Sequence, residues 1–377
     1  MHLAFLTPEY PHPDLKASAG IGTSIKNLVS GLVLENIAVT LFVFNQERDR
    51  IFEEDGITIH SIRKRNFTIG GWYLYRKFLQ RYINKYIQLN QIDALEAPDW
   101  TGITAFMKLK CPLVIRLHGS DAYFCKLEER KQKKKNFWFE RTALNAADHI
   151  ISVSAFTAKE TKKLFDLKNE IAVLHNGINS EEFQPNGSRE EEARIFYFGT
   201  LIRKKGVLEL AEIFKKVLEK IPEAELVFAG SNVIDNLTQQ STQELIEEIA
   251  GPIALSQIQF SGKLNYEDIR QEIAKATVIV FPSFAEAFPM TWLEAMAMEK
   301  ALVTSDIGWA KEIMINEKTG FTVDPKDHDK FASRIIQFIE DPTLRINMGK
   351  NARQTIIDDF STDVIAKRNI AFYQNII

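Results

Sequence analysis

The sequence predicts an α/β protein built from two doubly wound, parallel-sheet, Rossmann-like domains, and three observations lead there. At 377 residues the chain is too long for one small core. Short apolar runs alternate with helical patterns along most of it, as parallel strands with crossover helices require. The polar stretch "NSEEFQPNGSREEEA" (179–193), with Pro185, Gly187 and an acid cluster, interrupts the alternation once and reads as a linker.

Before the linker, "LAFLT" (3–7), "VTLFVF" (39–44), "ITIHSI" (57–62), "IDALEAP" (92–98), "LVIRLHG" (113–119), "HIISVS" (149–154) and "IAVLHNG" (171–177) read as strands. Helices are expected at about 23–35, 72–89, 135–147 and 155–165. After it come strands at 194–199, 224–230, 258–264, 278–283 and 301–307, with helices at 206–220, 241–250, 267–275 and 290–298 between them. "FSTDVIAKRNIAFYQNII" closes the chain with helical spacing.

Composition excludes several functions. A 45% hydrophobic and 26% charged chain is ordinary for a globular protein, and a net charge of -3 argues against a nucleic-acid binder. Cys111 and Cys125 are too few for a disulfide framework or a cysteine zinc site, and suit a reducing compartment. The start "MHLAFLTPEYPHP" lacks the features of a signal peptide, and no run of apolar residues is long enough to span a bilayer. A cytoplasmic location is expected, or a peripheral one on the inner face of the membrane. Charge is shared unevenly, about +7 over residues 1–165 and about -10 over the remainder. Arg63 to Tyr86 concentrates the excess, with seven cations, no acid and aromatics throughout. It suits either an anionic membrane surface or a helix with its aromatics inward and its cations in water.

Ligands of open α/β sheets bind beyond the carboxyl ends of the strands, so the residues just after strands matter most. Gly20 and Gly22 precede a helix expected near Thr23, where backbone can approach an anion; the alternative is a flexible turn. The run "GIGTSI" lacks the third glycine of a dinucleotide fingerprint. His118 and Asp121, in "HGSD", follow another strand, either beside a ligand or in a turn capped by Ser120 or Asp121. "TLIRKKGV" places Arg203, Lys204 and Lys205 before a helix; such cations oppose the helix dipole and suit a phosphate better than a structural role.

"FPSFAEAFPMTWLEAMAMEK" (281–300) holds Glu286 and Glu294. On one continuous helix they would lie about 12 Å apart along the axis. Pro289, however, fits only the first turn, leaving Glu286 in the loop and Glu294 in the second turn. Each carboxylate can then clasp a diol, one on a sugar and one on a ribose. "DHD" (327–329) has the look of a metal-binding D-x-D but opens a helix, where acids are favoured anyway. No metal or cofactor is expected.

Taken in order, "SAGIGTSIKNL", "HGSD", "VLHNGINSEEF", "FYFGTLIRKKGV" and "EAFPMTWLEAMAMEKALVTSDIGWAKEIM" resemble the family 4 retaining glycosyltransferases of GT-B fold, with their E-x7-E signature. The resemblance implies an N-terminal acceptor-side domain (1–180), a nucleotide-sugar domain (190–357) facing it across a cleft, and a last helix (358–377) crossing back to the first. It implies a UDP- or GDP-sugar donor, a sugar or lipid-linked acceptor, and glycan synthesis. Glu286 would contact the transferred sugar and Glu294 the ribose. Phe288, Pro289, Met290 and Thr291 would line sugar and phosphate; Lys205 and Arg203 would neutralise the diphosphate. Gly199, Gly20 and Gly22 would lie on the donor side, His118 near the transferred carbon, and Asp121 on the acceptor side. Thr200 stands where the family often has arginine, Ala287 and Pro289 where many members have glycine, and Glu299 after E-A-M-A in place of the usual glycine. The same fold also serves nucleotide-sugar epimerases and related sugar-nucleotide enzymes, and a catalytically silent sugar-nucleotide-binding subunit is a third reading.

Overall fold

The structure, a computed structural model, describes every residue except Ala17 and Ser188. The chain forms two compact units, Met1–Gly177 with Phe360–Ile377, and Ile178–Asp359.

In the first unit eight strands form one sheet: β1 (His2–Thr7), β2 (Ala38–Gln46), β3 (Arg50–Glu54), β4 (Ile57–Arg63), β5 (Ala94–Pro98), β6 (Leu113–Leu117), β7 (His149–Ser152) and β8 (Ala172–Val173), in the order β3-β4-β2-β1-β5-β6-β7-β8. All neighbours pair parallel except β3 and β4. That hairpin was not expected. Its turn is Asp55-Gly56, both left-handed at φ 49° and 77°, the conformation a two-residue hairpin turn demands. The expected strand at 171–177 shrinks to the two residues of β8.

The inner strands, covered on both faces, are largely apolar, whereas the edge strand β3 (RIFEE) is mostly exposed. Leu3 and Phe5 of β1 face one core with Ile25, Val29 and Leu32 of α1 (Gly20–Leu34). Ala4 and Leu6 face the other with Leu79, Ile83 and Ile87 of α2 (Gly71–Asn90). Three further helices are α3 (Asp121–Leu127), where a ligand contact or a capped turn is the expectation, α4 (Lys134–Ala146) and α5 (Ala155–Phe165). The C-terminal helix, Thr362–Ile376, packs beside α1 in this unit. A buried ionic network ties it down. Arg116 of β6 makes a bidentate pair with Glu96 of β5 at 2.7 and 2.9 Å and donates to Asn369 Oδ1 at 2.6 Å. The Tyr373 hydroxyl donates to the same Glu96 carboxylate.

The second unit has six strands, all parallel: β9 (Arg194–Phe198), β10 (Glu225–Ala229), β11 (Ile258–Gly262), β12 (Val278–Phe281), β13 (Leu302–Ser305) and β14 (Phe321–Val323), ordered β11-β10-β9-β12-β13-β14. Its helices are α6 (Val207–Leu218), α7 (Thr242–Leu255), α8 (Tyr266–Lys275), α9 (Met290–Ala297), α10 (Ala310–Ile313), α11 (His328–Glu340) and α12 (Pro342–Thr355). β14, α10 and α12 were not expected; two of the three are four residues or shorter.

Outside Ser188, the stretch expected as a linker packs on this unit. Glu190 accepts from Lys300 at 2.8 Å and from Arg345 at 2.9 Å, Glu182 pairs with Arg270 at 2.9 Å, and Phe183 is buried. Two of its acids, Glu182 and Glu190, are counter-ions to basic groups far along the chain.

Candidate active site

The strand order locates the candidate site of the second unit. From β9 the chain winds outward to β10 and β11, then returns to place β12 on the other side of β9. The crossovers after β9 and β12 therefore run to opposite sides of the sheet, and the carboxyl ends of these two strands are where open α/β sheets bind ligands. Lys205 follows β9 and Glu286 follows β12.

Backbone contacts fix the meeting. The carbonyl of Lys204 accepts from the amides of Phe284 at 2.8 Å and Ala285 at 3.3 Å, stapling the two loops together. Gly206 makes the close approach possible. Its φ is +72°, and a Cβ there would lie 1.9 Å from the carbonyl oxygen of Pro282. In that frame Lys205 Nζ pairs with Glu286 Oε1 at 2.5 Å. Both side chains are largely but not wholly covered, at 21% and 10% exposure, so a ligand can reach the pair.

Glu294, in the second turn of α9, is 4% exposed and has no hydrogen-bond partner among the described residues. Burial, with Glu182 adding repulsion and Lys205 opposing it, pushes its carboxyl up to about 8. It is a nearly buried carboxyl with no hydrogen bond to accept among the described residues. Pro289 precedes α9 at the N-cap, one residue before the first-turn position expected for it, and Phe288 and Met290 are buried around it. Gly199 ends β9 with φ +143°, and its carbonyl lies against Gly230, where a Cβ would come within 1.9 Å of it.

Arg203 differs from expectation. Its guanidinium is clamped on Asp235 by bonds of 2.9 and 3.0 Å, and Asp235 also accepts from the amides of Leu237 and Thr238. Arg203 thus organises the loop after β10, and its charge is already met. The "DHD" acids also have structural partners: Asp327 caps α11 by accepting from the Lys330 amide at 3.1 Å, and Asp329 pairs with Lys216 at 2.7 Å.

The first unit has its own reversal, between β1 and β5. Gly20 and Gly22 do not precede a helix here; they are its first and third residues. The N–H of Gly22 donates to Glu9 Oε1 at 2.9 Å, and that of Ala19 to the same oxygen at 3.1 Å. A carboxylate of the chain itself occupies the anion position at the start of α1. A Cβ at Gly22 would displace the rotatable Ser18 hydroxyl and lie 3.2 Å from the Glu9 carbonyl oxygen. His118 follows β6, and its amide donates to Asp99 Oδ1 at 3.0 Å. Burial, helped by nearby Arg116, lowers its imidazole to about 3, so the ring is neutral at physiological pH. Asp121 opens α3 and accepts from Asn136 at 3.0 Å and Arg130 at 3.5 Å, while Ser120 caps the helix. The capping alternative for "HGSD" is therefore the one realised at Ser120.

Three acids of this unit escaped the sequence reading. Glu9 has just been described. Asp99, directly after β5, is buried, with Oδ2 unpartnered, and burial raises its carboxyl to about 8. Glu140 is buried in α4, accepts from the amides of Asp121 and Ala122 at 2.9 and 3.1 Å, and burial raises it to about 7. Asp99 carried a usable signal, an acid one residue beyond a strand's carboxyl end. Glu140 carried none, because its helix reads as plainly amphipathic.

Comparison with known proteins accords with this architecture. Residues 18–182 match the model for Glycosyltransferase Family 4, and residues 179–355 match that for Glycosyl transferases group 1. Between them the two matches run through both units, and the chain belongs to this glycosyltransferase family. It is similar to an uncharacterized glycosyltransferase of Methanocaldococcus jannaschii, 24% identical over 99% of this chain and 98% of the relative. Among solved structures, a sucrose-phosphate synthase from Thermosynechococcus elongatus superposes with a TM-score of 0.82 at 18% identity, covering 100% of this chain and 98% of that one. HepE of Anabaena, solved in complex with UDP, superposes at 0.73 with 17% identity and full coverage of both chains. The fold is GT-B.

Proposed function

We propose that the protein is a metal-independent, retaining glycosyltransferase. It moves a sugar from a UDP- or GDP-sugar to a hydroxyl of a sugar or lipid-linked acceptor, in cell-surface polysaccharide or glycolipid synthesis. It works in the cytoplasm, peripherally on the inner face of the membrane. One observation carries the reading: Lys205 and Glu286 meet at the second unit's strand-order reversal, beside buried, unpartnered Glu294.

Each group has a task the donor can fill. Lys205 exchanges the Glu286 carboxylate for the diphosphate, whose charge is greater. Glu286, released, accepts from hydroxyls of the sugar. Glu294 accepts from the ribose, which relieves its missing partner. The backbone from Phe288 to Thr291 lines the sugar and phosphate. The bond from the anomeric carbon to the phosphate oxygen then breaks, its electron pair leaving with the diphosphate. The acceptor oxygen bonds to the same face of that carbon, and its proton passes to the departing phosphate oxygen. In this reading Gly22 and neutral His118 serve the donor and Asp121 serves the acceptor. The resident Glu9 carboxylate must first give up the Gly22 amide. UDP as the leaving group is supported by the fold shared with HepE, which was solved with UDP.

A panel of UDP-, GDP- and ADP-sugars tests the reading. Slow release of nucleoside diphosphate from one of them is the expected result. Epimerised sugar in its place identifies an epimerase, and tight binding with no turnover identifies a silent binding subunit.

A further inference from the structure

The basic aromatic stretch at 63–86 divides into two parts. Its later part is structural. Arg76 is buried, donates to the carbonyls of Thr101 and Gly102 at 3.1 to 3.3 Å, and lies over the Phe139 ring; Tyr82 meets His60 at 3.0 Å. Its earlier part is open. Ile69 is 85% exposed just before α2, and Trp72, Tyr73 and Leu74 are exposed in its first turn.

A second segment, distant in sequence, joins this open end. Trp138 of α4, 48% exposed, stands 5.9 Å from the Trp72 ring, and Lys135 Nζ lies 5.6 Å from the same ring. The segment leading into α4, "RKQKKK" (130–135), contributes Lys131, Lys133, Lys134 and Lys135, all exposed. None of these four lysines has a carboxylate partner among the described residues, nor do the side chains of Arg63 and Lys64, although the Arg63 amide donates to Asp49. Residues 56–92 and 130–139 contain no acid.

We propose that the exposed start of α2 and the lysine-rich entry to α4 form one docking surface for an anionic phospholipid bilayer. An apolar and aromatic centre bordered by unneutralised cations matches an interface whose headgroups are negative and whose depth is apolar. A nucleic acid would use the cations and leave Ile69 and Leu74 without a role. Indole and phenol rings seat at the headgroup level, and lysine stems reach outward from it. The proposal rests on the peripheral location given above and is independent of the reaction.

Flotation of the full chain with vesicles of equal parts phosphatidylglycerol and phosphatidylcholine, against pure phosphatidylcholine, tests it. Binding only to the anionic vesicles, falling as salt rises, is expected. Lys131→Ala/Lys133→Ala/Lys134→Ala should weaken it on the order of a hundredfold, at about fivefold per lysine. Ile69→Ser/Leu74→Ser should weaken it on the order of tenfold. Donor hydrolysis in vesicle-free buffer should stay at the wild-type rate in both variants, which separates this surface from the reaction and reports that they fold. Equal binding to both vesicle types by the wild type, or to neither, overturns the proposal whatever the variants do. So does a concentration-dependent dimer that Ile69→Ser/Leu74→Ser abolishes with no vesicle binding, since the patch would then serve a second copy of the chain.

Discussion

The two strand-order reversals of this molecule have the same topology and opposite chemistry. At the reversal between β9 and β12, a lysine and a glutamate pair with each other beside a buried glutamate that pairs with nothing. At the one between β1 and β5, most of the polar groups are occupied within the unit, and Asp99 Oδ2 is the buried acceptor left over. Glu9 holds the Gly22 amide, Asp99 holds the His118 amide, and Asn136 and Arg130 hold Asp121. The lesson is that a motif's polar atoms matter less than whether the fold has already used them. In the second unit the unspent or exchangeable groups are acceptors and a cation, suited to a donor. In the first unit the buried polar groups chiefly hold elements in place.

This contrast predicts stability effects in the first unit and activity effects in the second. The largest stability loss is expected from Arg116→Ala, which leaves Glu96 charged and unpaired in the core beneath the C-terminal helix. It should cost about 3 to 5 kcal/mol in a urea titration. A loss below 1 kcal/mol would mean that the network is not what holds that helix.

Glu9→Ala should cost about 1 kcal/mol, as loss of a helix cap does. Removing the carboxylate also frees the Gly22 amide, so nucleoside diphosphate should bind more tightly; unchanged or weaker binding would mean that the Gly22 amide does not meet the donor.

A third effect, one of pH dependence, concerns Glu294. Its carboxyl is raised from 4.5 to about 8 by burial, so the folded protein holds a proton that the unfolded chain has released. Stability from this group is complete below the unfolded value and is lost as pH rises toward 8. Glu294→Gln removes that dependence. Its melting temperature should gain on the wild type by a few degrees between pH 5 and 8.5. A constant difference across that range would show that Glu294 is ionised in the folded state.

Much of the architecture was legible from apolar runs and turn residues, because strands covered on both faces must be apolar. The short elements were not: β14 and α10 are below the length at which periodicity can be seen. The β3-β4 hairpin does carry a local sign, the Asp55-Gly56 dipeptide at its turn. The 179–193 segment misled because acids look the same whether solvated or paired, and Lys300 and Arg345, which pair with Glu190, lie more than a hundred residues away. In the candidate site, Glu286, Glu294, Lys205 and the Lys-Gly turn were readable, since proline placement and unfavourable cations constrain the local geometry. The Arg203–Asp235 clamp and the Glu9 cap were not, because each pairs residues through tertiary contact with no local sign.

The central claim is that Lys205 and Glu286 hold the donor's diphosphate and sugar. Steady-state release of nucleoside diphosphate from the preferred sugar nucleotide, measured for Lys205→Ala and Glu286→Ala against the wild type, tests it directly. The account predicts at least a hundredfold lower turnover for each, about 3 kcal/mol of lost transition-state stabilisation, with melting temperatures close to that of the wild type. Near wild-type turnover in either folded variant would contradict it.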